Sequence, residues 1–203
     1  MELTNEVRKN DPRADDIKKK FGEIVRYVTL SRMRSYASCE DFSIVELNGV
    51  IPHGYVFANN MSMIIVAGQA LRVILKAHFN HKDSKPIAAR LYGLEEVSDA
   101  RSRDVMKEYC NLTAGFLKKV CIENDLPVGI SLPVVTMGFN EVFSELEGID
   151  KKIVFNDCWK LVYADSDIIC SCHIDVLNVP ALEKLMLFSV DEPDDEDDEY
   201  DFL

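Results

Sequence analysis

The sequence predicts an α+β domain, with helices packed on a largely antiparallel sheet. Three observations carry that expectation. Apolar residues recur at helical spacing over Lys18 to Tyr36, and again along a stretch from Ser98 to about Asn124. Short β-branched runs bounded by Asn, Asp, Gly and Pro fill the intervals. The resulting order is helix, strands, helix, long helix, strands, which suits a sheet with helices laid on it.

The first twenty residues mix charges around Pro12 and are expected to form a frayed lead-in. Lys18 to Tyr36 then sets Phe21, Ile24, Val25, Val28 and Met33 close to helical spacing. At Phe42 the period becomes two. Phe42, Ile44, Glu46 and Asn48 alternate with Ser43, Val45, Leu47 and Gly49, giving a strand with Asn48-Gly49 as its turn. Tyr55 to Ala58 and Met61 to Ala67 read as two further strands around an Asn59-Asn60 turn. Gly68 ends the second, and Gln69 to Phe79 reads as a helix with Leu71, Ile74, Leu75 and Phe79 inward. His78 to Pro86 reads as a polar loop, and Ile87 to Val97 as a loop or short strand. Ser98 is the expected N-cap of the long helix, which Pro127 halts. Ser131 to Met137 is β-rich but interrupted by Pro133, as in an edge strand or a bulge. Ile153 to Tyr163 and Ile168 to Val176 form a closing hairpin around Asp165-Ser166-Asp167. Asn178-Val179-Pro180 starts a short last helix, Ala181 to Phe188. The domain is expected to span 21–188, with 1–20 as lead-in and 189–203 as an acidic tail.

Composition narrows the function classes. No apolar run approaches the roughly 20 residues that span a bilayer. Met1 to Lys20 lacks the apolar core of a secretory signal, so a cytoplasmic protein without a membrane partner is expected. Cys39, Cys110, Cys121, Cys158, Cys170 and Cys172 are scattered, as buried free thiols in a reducing compartment would be. The net charge of −12 argues against nucleic-acid binding. Its location matters more than its size. Nine acidic and no basic residues lie between Asp191 and Asp201, and without them the formal charge falls to −3. The tail is therefore expected to be disordered and solvated. Solubility is its plain role, and docking to a basic surface the sharper alternative.

The long helix carries the chemistry. At 100° per residue from Asp104, the residues Val105, Tyr109, Leu112, Phe116 and Val120 fall between about 80° and 160°. Met106, Thr113 and Leu117 widen that apolar face to about 220°. Opposite it, Asp104, Glu108, Asn111 and Gly115 fall within about 40° of zero. One narrow stripe thus holds two carboxylates, an amide and a glycine. A mid-helix glycine costs about 1 kcal/mol against alanine, and a flat spot lets another surface approach the helix backbone. Spacing alone favours a solvated helix face with an incidental glycine over a docking stripe.

The stretch Asp104-Val-Met-Lys-Glu108-Tyr-Cys-Asn111-Leu-Thr-Ala-Gly115 resembles the signature of CheC/CheX-type chemotaxis phosphatases. There, an acidic or small polar residue precedes a Glu-x-x-Asn pair, and a glycine follows four residues on. Leu132-Pro133 leading into Val134-Val135-Thr136-Met137-Gly138 is similar to the strand that follows this helix in CheX-like chains. The resemblance covers roughly residues 20 to 178. It implies hydrolysis of the aspartyl-phosphate of a response-regulator receiver domain. Asn111 would position the attacking water, and Glu108 would pair with the regulator's active-site lysine. Asp104 and Gly115 would flank the docking surface. The chain would need no cofactor of its own, since Mg²⁺ belongs to the partner receiver. The partner would be a phosphorylated response regulator, with a homodimer left open. A non-catalytic receiver-binding or scaffold module of the same fold is the alternative. The first helix departs from a two-site pattern, because Glu23-Ile-Val-Arg26 has arginine where a second asparagine would stand.

Other constellations point elsewhere less well. His78-x-x-His81 lacks a third ligand at metal-site spacing, so no metal is expected. Cys170-Ser-Cys172-His173 in a strand would put both thiols on one face and the imidazole on the other. Asp165 and Asp167 shape a turn, and Trp159 belongs to the core or an interface.

Overall fold

A computed structural model describes residues 13–47, 58–137 and 153–189. The chain begins with α1 (Ala14–Ala37), which starts a turn earlier than the apolar spacing suggests. Ser38, at φ 47°, ends it in the left-handed region. Four strands follow in sequence with two further helices: β1 (Ser43–Glu46), β2 (Asn60–Gly68), β3 (Leu71–Phe79), α2 (His81–Tyr92), α3 (Asp99–Glu123) and β4 (Val128–Ile130). The chain continues through β5 (Val134–Met137), β6 (Ile153–Tyr163) and β7 (Ser166–Val176), then closes with two 3₁₀ turns, Val179–Leu182 and Leu185–Leu187.

Among the described residues the sheet has seven strands in the order β1-β6-β7-β3-β2-β4, with β5 also paired to β2. Every pairing is antiparallel. The edge beside β2 is shared: β4 pairs with Val66 to Gly68, and β5 with Asn60 to Met63. Between them Ser131 is stitched to Ile65 twice. The Ile65 amide donates to Ser131 Oγ at 3.0 Å, and the Ser131 amide to the Ile65 carbonyl at 2.9 Å. Pro133 sits where no ladder donor is needed, which bears out the edge reading. The α+β expectation, helices on an antiparallel sheet, is the observed architecture.

Several local expectations fail. Gln69 to Phe79 is not a helix: Leu71–Phe79 is a central strand between β2 and β7, with all nine residues buried. Burial on both faces fills both sets of alternate positions with apolar groups, and the surviving pattern mimics a helix. The strand signal was the even spacing of Arg72, Ile74, Lys76 and His78, which share the face opposite Leu75 and Ala77. Arg72 Nε donates to Asp175 Oδ2 at 2.7 Å there. The second failure is the polar loop to Pro86 and the ambiguous run after it. Their middle, His81–Tyr92, forms α2, which holds Pro86 in its interior and ends at Gly93, φ 62°, while 93–97 is loop. The proline costs a helical hydrogen bond. The helix forms regardless, because Ile87 and Ala88 are buried and Lys85 pairs with Asp99 at 2.7 Å. Third, the last helix is two 3₁₀ turns. The β6–β7 turn also falls one residue early, at Ala164-Asp165, with Ala164 at φ 48°. Asn60 is the first residue of β2 rather than part of a turn. The Asn48-Gly49 turn, Tyr55 to Phe57 and the acidic run lie outside the described residues.

The core lies between the sheet and the helices. Its largest buried side chains include Trp159, Tyr109, Phe21, Phe42 and Phe79. All six cysteines are free and buried. Burial pushes the Cys110 and Cys121 thiols up to about 12, so they are inert at neutral pH. Three elements meet at Thr29. Tyr109 Oη on α3 donates to the Thr29 carbonyl on α1 at 3.0 Å. Trp159 Nε1 on β6 donates to Thr29 Oγ1 at 3.2 Å. Removing only the Tyr109 hydroxyl, as Tyr109→Phe, should lower stability by about 1–2 kcal/mol. A urea titration should show an earlier midpoint at unchanged slope. A midpoint identical to wild type would mean that this hydrogen bond does not hold α3 against α1.

Candidate functional site

Helix α3 is set up by its first residues. Ser98 is extended, at φ −69° and ψ 157°, and its Oγ accepts from the Arg101 amide at 3.3 Å, as the N-cap expectation required. Asp99 lies in the first turn, where a carboxylate is favoured by the helix dipole. Beyond the cap, α3 packs on β2 and β3 below it and on α1 and α2 beside it. Its buried arc is therefore wider than the wheel indicates. Cys110, Ala114 and Cys121 join Val105, Met106, Tyr109, Thr113, Phe116, Leu117 and Val120, whereas Leu112 is only half-buried.

The narrow stripe faces outward, with Lys107 exposed beside it. Asp104 and Glu108 are exposed, and Asn111 and Gly115 half-buried. A Cβ built at Gly115 would meet nothing within 4 Å. Among the described residues that glycine is thus not required by packing, and none of them fills the space above it. The four side-chain positions predicted together are together, one above another on one helix face, and none belongs to the core.

The flanks of the stripe come from other elements, which sequence reasoning did not single out. Tyr36, in the last turn of α1, is half-buried near Glu108. Burial first, then Tyr92, then the Glu108 carboxylate raise its phenol pKa well above the ordinary value. Tyr92 ends α2 with about half its surface exposed, and the Arg101 guanidinium stands over its ring at 5.2 Å. Also from α1, Arg32 lies 4.1 Å over the Phe116 ring, two turns further along α3. One signal for Tyr36 was available: it stands seven residues after the buried Thr29, so it shares that face of α1.

The corresponding place on α1 is closed. Arg26 Nε donates to Asp157 Oδ2 at 2.8 Å, and its Nη1 pairs with Glu46 Oε1. The arginine noted at this position in the sequence clamps α1 to β6 and β1. Its guanidinium also lies 3.0 Å from where a Cβ on Gly22 would stand. The two histidines set aside as ligands are apart in role. His78 is buried in β3, facing Ser171 Oγ at 3.2 Å, and His81 faces Ser102 Oγ at 2.9 Å. Among the described residues no group of three or more His, Cys, Asp or Glu side chains could hold a metal, and no helix is long and apolar enough to cross a membrane.

No family model and no curated protein matches the sequence. Solved structures do match the fold. A CheC-like superfamily protein from Shewanella sp. PV-4 is 13% identical at a TM-score of 0.61, covering 76% of this chain and 97% of its own. CheX from Borrelia burgdorferi, solved as a CheX–CheY–BeF3–Mg complex, is 15% identical at a TM-score of 0.54, over 76% of this chain and 96% of that one. FliM from H. pylori, in complex with SpeE, is 13% identical at a TM-score of 0.51, over 89% and 95%. At these identities the likeness speaks for the fold, and the fold is the CheC/CheX type that the residues around Glu108 and Asn111 resemble.

Because no described residue stands where a Gly115 side chain would go, Gly115→Leu should leave the melting temperature unchanged or raise it, leucine being the better helix former. A large drop would show that the open space above Gly115 is filled in solution.

Proposed function

We propose that this chain is a phosphatase acting on the aspartyl-phosphate of a response-regulator receiver domain. The observation that carries the proposal is the placement of Glu108 and Asn111. They lie one turn apart on the solvent face of α3, outside the core, on a fold shared with CheX. Asp104 and Gly115 extend the same face above and below them.

The chemistry suits these side chains. Hydrolysis of an acyl phosphate needs a water held in line with the leaving oxygen. An amide is no base, but it donates and accepts hydrogen bonds at once and can hold a water by both. Asn111 supplies that group. Glu108 pairs with the receiver's lysine and fixes the register of docking, so that the amide arrives opposite the phosphoryl group. Gly115 lets the receiver approach the helix backbone. The leaving group and Mg²⁺ come with the receiver. The buried thiols take no part.

A second reading has its own observation. The FliM likeness extends over more of this chain than the CheX likeness does. A scaffold that binds a receiver or another protein without turnover would fit that fold as well. Phosphate release from a phosphorylated receiver, with and without the full chain, separates the two. Under the phosphatase reading, Asn111→Ala should cut the rate by about 10²-fold or more with an unaltered melting curve, since truncation removes no core volume. Retained activity in that variant would sink the role given to Asn111. Glu108→Lys should weaken receiver binding more than Glu108→Ala, because it opposes the partner's lysine. Tighter binding by the charge-reversed protein would rule out the salt bridge.

A further inference from the structure

The outward face of α3 begins before Asp104. Arg101 is exposed, and it stands seven residues before Glu108, about 20° short of two full turns. The two side chains therefore leave the helix on one side, about 10 Å apart along its axis. Asp104 lies three residues on, at the spacing of a helical ion pair. The Arg101 guanidinium does not take it. It stands over the Tyr92 ring instead, 5.2 Å from the centroid, and no carboxylate among the described residues lies within ion-pair distance of it. The ring beneath it is well anchored. Tyr92 is the last residue of α2, which closes as the Gly93 amide donates to the Arg90 carbonyl at 3.2 Å. Arg90 in turn donates to the Ala37 and Ser38 carbonyls at the end of α1, at 3.1 and 2.8 Å. Lys85 of α2 pairs with Asp99 in the first turn of α3 at 2.7 Å. Tyr92 is 46% exposed all the same, so the stack belongs to the surface and not to the core. A guanidinium over a ring face interacts through its charge, and its N–H donors remain for another molecule.

We infer that Arg101 is a specificity-determining contact for the receiver domain, meeting a surface carboxylate of that partner, and that Tyr92 positions it. The inference rests on the receiver docking along α3 through Glu108. The two contacts have opposite sign. Glu108 takes a lysine, and Arg101, two turns away, takes a carboxylate. A receiver that carries such a pair at about the same separation docks in one direction only. Turned end for end, it would set its lysine against Arg101 and its carboxylate against Glu108, and like charges would oppose the contact. Tyr92 holds the guanidinium in place before the partner arrives, so less rotamer freedom is lost on docking. Arg101 lies ten residues from Asn111, about 15 Å along the helix, and so touches the partner away from the reacting group.

The test titrates the full chain with CheY-type receiver domains loaded with beryllofluoride and Mg²⁺. Arg101→Ala should lower affinity about tenfold and leave the melting curve at that of wild type. Arg101→Glu should lower affinity further, because it opposes the partner's carboxylate, and both losses should shrink as salt is raised. Arg101→Lys should recover only part of the loss, since an ammonium lacks the planar fork. Tyr92→Leu should cost less than Arg101→Ala, and nothing further in the Arg101→Ala background. On turnover, Arg101→Ala should place its loss in KM, whereas Asn111→Ala places its loss in kcat. Wild-type or tighter binding by Arg101→Glu overturns the contact. So does a melting curve that falls in Arg101→Ala together with affinity, which would mean that the stack only holds α2 against α3. Equal losses from Tyr92→Leu with and without Arg101 overturn the positioning role. Each of these results leaves the functional reading standing if wild type binds a receiver and Glu108→Lys does not. A wild-type chain that binds none of a panel of loaded receivers overturns the functional reading, and this inference with it.

Discussion

The pair of hydrogen bonds at Thr29 sets the rotation of α3, and the outward stripe depends on that rotation. Tyr109 is adjacent to Glu108 in the chain, so turning Tyr109 inward turns Glu108 outward by about 100°. The phenol reaches the Thr29 carbonyl from α3, and the Trp159 indole reaches the Thr29 hydroxyl from β6. Neither ring could be buried without a partner for its polar atom. Both find it on one residue of α1, so α1, α3 and the sheet are registered against a common point. Asp104, Asn111 and Gly115 follow because the helix repeat ties them to Glu108. A helix held only by its apolar face could roll by tens of degrees at little cost; one tied through a buried phenol cannot.

The two faces of the sheet solve different problems. The face under the helices is almost wholly apolar. The opposite face carries Arg72, Lys76 and His78 on β3 and Ser171, His173 and Asp175 on β7, all buried. Arg72 pairs with Asp175, whose second oxygen faces His173 Nε2 at 3.2 Å. His173 Nδ1 in turn faces Asn156 Oδ1 at 2.7 Å. Such a ladder adds little net stability compared with packed hydrocarbon, but removing one member leaves a buried charge unpaired. It also marks the register of β3 against β7, since Arg72 and Asp175 are direct cross-strand partners.

Helices α1 and α3 spend similar material in opposite ways. On α3 a carboxylate and an amide have no hydrogen-bond partner among the described residues and are turned outward. On α1 the matching place holds Arg26, bound to Asp157 and Glu46. That arginine ties the helix to two strands, so its surface cannot be offered to another molecule without losing the tie. The molecule therefore has one outward stripe of this kind among the described residues. Tyr36, Tyr92 and Arg101, of the residue types that carry most interface energy, stand along it.

What the sequence by itself determined is what depends on the chain's own local period. The extent of α3, its Ser98 cap, the outward set of Asp104, Glu108, Asn111 and Gly115, the edge character around Pro133 and the closing hairpin are all legible. Each rests on a repeat of 3.6 or 2 or on a capping side chain, and neighbours only reinforce it. What the tertiary structure decided is whatever depends on burial from two sides or on contacts distant in sequence. Leu71 to Phe79 is a strand because β2 and β7 enclose it, and that enclosure erased the alternation that would have announced it. α2 persists through Pro86 because contacts with α3 offset a missing hydrogen bond. Tyr36 comes near Glu108 only because α1 packs beside α3, two helices some 70 residues apart in the chain. Periodicity can say which way a side chain points from its own axis; it cannot say which other axis lies alongside.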